Sequence, residues 1–182
     1  TLVFFDRPKA RVRRFFVLFV FSIAFWILTL YFFYRLTQPA LVYELGKLNF
    51  VFAELIFYFL ALFVEVFPDE HATVPRKRFW AISAWSITLV LLTQFTPLLD
   101  AAELIRGPER ITVFGPLYPL FIVHCIFFAI YSVVRLIGKY RRFVPGDVRR
   151  LQIGYFAAGW MLTVVLAILT QILIPYFSGN YD

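Results

Sequence analysis

Apolar positions in this chain come in long unbroken runs rather than in alternation or in a narrow stripe, and five of these runs reach about 20 residues, the length of an α-helix that crosses a bilayer. The pattern predicts helices over about 15–35, 41–67, 79–95, 117–137 and 151–174. Basic residues Arg7, Lys9, Arg11, Arg13 and Arg14 precede the first run, which is too long for a signal peptide and has no small-residue cleavage site behind it. Pro68 with Asp69-Glu70-His71 ends the second. Its 27 positions would extend about 40 Å as a helix, so it should tilt or project beyond the hydrocarbon core. Between Leu98 and Gly115 the periodicity breaks: Gly107-Pro108 is a turn signal flanked by the β-prone pieces Leu104-Ile105 and Ile111-Thr112-Val113, which predicts a small hairpin at the membrane surface. The expected fold is all-α, a single polytopic transmembrane bundle over 1–182 with five spans and a short hairpin-like loop.

Composition fits that pattern and narrows the function classes. Of 182 residues 62% are hydrophobic and 16% charged, far from the mix of a soluble domain. The helices leave no room for a kinase, a nucleotide-binding fold or another large catalytic module. The net charge of +7 does not point to nucleic acid, because the basic residues sit beside apolar runs, where an anionic leaflet holds them. Fourteen of the Lys and Arg residues fall on one side of the predicted topology and three on the other, with Lys47 inside the second helix. The positive-inside rule then puts the basic loops in the cytoplasm and residues 98–115 and the C-terminus outside.

Chemistry is sparse. Cys125 is the single cysteine, so no disulfide closes within the chain. No metal-ligand spacing, GxSxG, P-loop or dinucleotide-binding glycine pattern occurs, and the two histidines, His71 and His124, are placed toward opposite sides, against haem ligation. No catalytic residue, cofactor or metal is expected. The second helix is the informative one. At 100° per residue, Lys47 and Glu65 lie about 20° from Glu54, Tyr58 about 40° and Glu44 about 80°, so all share one face. Glu54 falls at the midpoint of its run, where a charge costs roughly 2.5–3.5 kcal/mol or more and calls for protein or a water-filled cavity around it. Glu44, Lys47, Glu54 and Tyr58 are therefore candidates to line a polar pocket open to the outside, for a small polar or cationic ligand or for protons. The competing reading has Lys47 paired with Glu44 or another acid and Glu54 hydrogen-bonded to neighbouring helices, fixing packing alone. Glu65, at the cytoplasmic end, is expected to face the headgroups. His124 is a further candidate, with a hydrogen-bonded core role beside it. Ser83, Ser86 and Thr93 give the third helix a polar face, and Gly154, Ala158 and Gly159 allow close approach on the fifth.

The order of features resembles the amino-terminal seven-helix sensor region of bacterial membrane histidine kinases. The residues that carry it are Arg14-Phe15 leading through FSIAFW to Trp26, the loop end Gly115-Pro-Leu-Tyr-Pro-Leu-Phe121, and Arg149-Arg150-Leu-Gln152 opening a helix that closes with Ile174-Pro175. The resemblance implies an input module of a bacterial inner-membrane sensor, with the kinase parts lying outside these residues. Thr1–Phe5 then reads as the end of an earlier helix. The alternatives are a transporter or channel-like subunit and a structural subunit of a larger complex. Expected partners are the lipid bilayer, a small polar ligand, and a homodimer or membrane complex, without nucleic acid.

Overall fold

The computed structural model describes residues 11–69, 71–106 and 109–168. The Thr1–Phe5 segment, the Gly107-Pro108 turn, the helix end at Ile174-Pro175 and the side on which Asp182 lies fall outside the described residues. Five helices and one hairpin follow in order: α1 (Arg11–Arg35), α2 (Pro39–Val66), α3 (Arg76–Phe95), β1 (Asp100–Arg106), β2 (Glu109–Phe114), α4 (Tyr118–Tyr140) and α5 (Val148–Ile168). They divide into two compact units at Ser132 and Val133, so that α4 contributes to both.

In the first unit α2 is the central element. Pro39 opens it in the first turn, where a missing N–H costs nothing, and Pro68 follows its last turn, so both ends are set by residues that cannot sit in a helix interior. Pairs along α1 run in reverse order to their partners on α2: Phe16 meets Phe63, Phe25 stacks on Phe52, and Thr29 accepts from Asn49. The two helices are antiparallel. Tyr58 with Ser83 and Glu65 with Arg78 set α3 antiparallel to α2 in the same way. Phe50 with Phe121, Glu54 with His124 and Glu65 with Tyr131 run in the same order on both chains, so α4 is parallel to α2. Alternating direction puts the start of α1 and the α2–α3 connection at one end of this unit, and the α1–α2 connection and the hairpin at the other.

The last two turns of α2, Leu60–Val66, are buried on all sides, and Ala61 and Leu62 form a core with Ile82 of α3 and Phe128 of α4. Three helices, α1, α2 and α4, are long and apolar enough to cross a membrane. The expectation of five spans is met at these three. The tract Arg76-Lys77-Arg78, expected to precede the third helix, forms its first turn instead and dilutes its apolar character.

The hairpin is longer than its β-prone pieces suggested. Strands β1 and β2 pair antiparallel from Arg106 opposite Glu109 to Asp100 opposite Phe114, with an irregularity between Asp100 and Ala102. Gly46 of α2 lets the hairpin lie against the helix: a Cβ there would stand 2.6 Å from Glu103 Oε1 and 2.9 Å from Asp100 Oδ2. On the other side Arg110 donates to the carbonyls of Phe33, over 3.4 Å, and Leu36, over 2.8 Å, capping the C-terminal end of α1 where its dipole favours a cation.

In the second unit Gly146, at φ +93°, turns the chain ahead of α5. Asp147 accepts the backbone N–H of Arg149 at 2.8 Å, and the Arg149 side chain holds the exposed Asp147 carboxyl below the usual carboxylate range. The Arg150 guanidinium lies 4.5 Å from the centre of the Tyr140 ring. The close approach expected at Gly154 and Gly159 differs from the arrangement found: a Cβ at Gly154 would meet only the Tyr140 ring edge at 3.5 Å, and at Gly159 nothing within 4 Å among the described residues.

Candidate functional site

Three helices converge on one buried imidazole. Glu54 stands midway along α2, His124 follows the first turn and a half of α4, and Trp85 lies on the facing side of α3. The Glu54 and His124 residues are 1% and 2% exposed. His124 Nε2 lies 2.5 Å from Glu54 Oε2, and Trp85 donates its indole N–H to His124 Nδ1 over 2.5 Å. Phe128, one turn further on α4, packs its ring 4.6 Å from the imidazole.

This arrangement fixes the protonation chemistry of the ring. An indole nitrogen donates and never accepts, so Nδ1 must present its lone pair and the imidazole proton sits on Nε2, facing the Glu54 carboxyl. The Nε2 to Oε2 contact is close but lacks the angle of a standard hydrogen bond, and neither Glu54 oxygen has such a bond among the described residues. The carboxyl is thus held by proximity to His124 and by its enclosure. Trp85, 40% exposed, forms one wall of an open cavity of about 440 Å³ between α3 and α4, whose apolar lining includes Ala81, Ile82, Val123 and Phe127.

The remaining candidates do not share a pocket with Glu54. From Glu44 to Tyr58, at about 1.5 Å per residue, they spread over roughly 21 Å of helix. The Tyr58 hydroxyl meets the Ser83 hydroxyl at 2.9 Å. Glu65, expected at the headgroups, is instead 5% exposed; Arg78 donates to it over 3.1 Å and Tyr131 donates its hydroxyl as well. A buried carboxylate needs such partners, and the basic first turn of α3 supplies one.

Glu44 and Lys47 belong to a different cluster, at the hairpin. Lys47 Nζ is 4.0 Å from Glu44 Oε1 and 4.3 Å from the centre of the Tyr43 ring, and Gln94 of α3 donates to Glu44. The Tyr43 hydroxyl donates to the Asp100 carbonyl over 3.3 Å. Sequence reasoning left Trp85, Asp100 and Glu103 unassigned. An indole inside an apolar run always asks for an acceptor, and that was the available signal for Trp85. Nothing in the spacing of Asp100 and Glu103 announced that they would be drawn onto α2.

No curated protein and no solved structure matches the chain. The match over residues 1–182 is to a sensor input region rather than to a catalytic domain, and it agrees with the three helices long and apolar enough to cross a membrane: this integral membrane chain belongs to the family described as the N-terminal 7TM region of histidine kinase.

Proposed function

We propose that these residues are the membrane-embedded sensory input region of a sensor histidine kinase. In this reading α3 and α5 cross the bilayer together with α1, α2 and α4, the basic loops face the cytoplasm, and the hairpin lies outside. The observation that carries the proposal, beyond family membership, is the Glu54–His124–Trp85 link. It ties three helices at mid-depth through groups whose alignment depends on sub-ångström placement, so a cue that shifts one helix changes contacts on the other two. Lys47, Glu54 and Glu65 are buried at different heights along α2, each against different partners.

The test uses the full-length gene product in nanodiscs, with autophosphorylation as the readout. Glu54→Gln, which keeps size and removes the acid, is expected to alter stimulated activity at least threefold in either direction. Unchanged activity in both Glu54→Gln and His124→Gln defeats the role of the link. Substrate flux through liposomes carrying the protein favours the transporter reading instead.

A further inference from the structure

Where β1 meets α2, a buried carboxyl and a half-buried one lie side by side against a helix backbone. Asp100 is 0% exposed, and neither of its carboxyl oxygens has a hydrogen-bond partner among the described residues. Glu103 reaches the same spot, and both lie over the bare Cα of Gly46, closer than any side chain there would permit. The charged and polar groups around them come from three elements. On α2 stand Lys47, whose ammonium charge acts on Asp100, then Glu44 and Tyr43. On β2 the Thr112 hydroxyl lies 2.9 Å from each Glu103 oxygen, while Arg110 reaches away to the α1 carbonyls. On α3 the neutral Gln94 donates to Glu44. A single ammonium group, partly engaged with Glu44, therefore acts on this pair, through Asp100. It can offset one negative charge. The second has no counterpart among the described residues.

We propose that Asp100 and Glu103 form a proton-operated latch between the hairpin and α2, closed while the pair holds at least one proton and released when both carboxyls are ionised. On closing, a proton passes from water to a carboxylate oxygen; on release it returns to water, and both anions regain their hydration. The local electrostatics sets the range. Burial pushes the Asp100 carboxyl up to about 6, with Lys47 pulling the other way. Burial pushes the Glu103 carboxyl up to about 7, with the Thr112 hydrogen bond opposing and the Asp100 charge adding to the rise. Both values exceed those of solvated carboxyls, so the closed state binds more protons than the open one. Closure is then complete below the ordinary carboxylate range, weakens as pH rises, and is lost as pH passes through about 6 to 7. The latch rests on this geometry alone; its use as an input to a kinase rests on the sensory reading above.

The experiment places spin labels at the exposed positions Leu41 on α2 and Leu104 on β1, through L41C and L104C, in the full-length protein with its other cysteines replaced, in nanodiscs at pH 5 to 8.5. The expected result is a short distance at pH 5 and a longer second population whose ratio to the first grows roughly tenfold or more across the range, with its midpoint between about 6 and 7. The isosteric double variant Asp100→Asn/Glu103→Gln, checked for native helicity, is expected to hold the short distance throughout. A pH-independent distance in the parent protein overturns the latch, and so does a pH response that persists unchanged in the double variant. Autophosphorylation recorded in the same samples separates the two claims: a distance change that kinase activity does not follow leaves the latch standing and removes its sensory use.

Discussion

The indole N–H of Trp85 points at Nδ1 of His124, and this one contact decides which nitrogen of the buried ring carries its proton. It also explains how an acid survives midway along an apolar helix. Glu54 Oε2 lies 2.5 Å from Nε2 of that ring. The neighbours of the acid are protein rather than acyl chains, as expected for an ionisable group at this depth.

Trp85→Phe keeps the aromatic wall and removes the donor. His124 Nδ1 is then left buried without a partner, which should cost about 1–3 kcal/mol. Unfolding of the purified protein in mixed micelles with increasing SDS measures it. A loss below about 0.5 kcal/mol would show that the indole bond contributes no more than packing.

Glu54 and His124 should be energetically coupled. Glu54→Leu and His124→Leu are each expected to destabilise by roughly 1–3 kcal/mol, because each strands the other's polar group. The double variant should lose less than the sum, giving a coupling of about 1 kcal/mol or more in a double-mutant cycle. Additive effects would mean that the 2.5 Å contact carries no interaction energy.

Gly46→Ala sets two effects against each other. Alanine favours the helix by up to about 1 kcal/mol, but its methyl meets Glu103 Oε1 at 2.6 Å and Asp100 Oδ2 at 2.9 Å. Separating the hairpin from α2 should outweigh the propensity gain, for a net loss of about 1–2 kcal/mol. Faster proteolysis near residues 107–108 in the variant reports the displaced hairpin, and a variant as resistant as the parent contradicts the close docking.

Arg78→Gln removes a cation whose side chain is 49% exposed, and solvent screens much of that charge. Glu65 keeps the Tyr131 hydroxyl and loses the Arg78 charge, so the cost is expected at about 1–2 kcal/mol rather than the larger figure for a fully enclosed pair. Arg78→Lys should recover part of it. SDS-driven unfolding of both variants gives the comparison, and equal losses in the two would show that charge is not the operative feature.

Much of the fold was legible because bilayer thickness and helix rise fix the length of an apolar run. The runs led to α1, α2 and α4 within a few residues, and Pro39 and Pro68 bracketed α2. The hairpin followed from Gly107-Pro108 and β-prone flanks, although its strands extend further than those flanks. Helical periodicity also identified the face shared by Glu44, Lys47, Glu54, Tyr58 and Glu65. The sequence was silent on which elements would meet that face at each level.

Sequence by itself determined the class of the molecule and the position of its costly groups, since hydropathy and the 100° step are local properties of the chain. Tertiary structure alone decided the partners: His124 for Glu54, Trp85 for His124, Arg78 and Tyr131 for Glu65, and the approach of Asp100 and Glu103 to Gly46. Those pairings join residues 13 to 70 positions apart, and only the packing of whole helices brings such groups within hydrogen-bonding range.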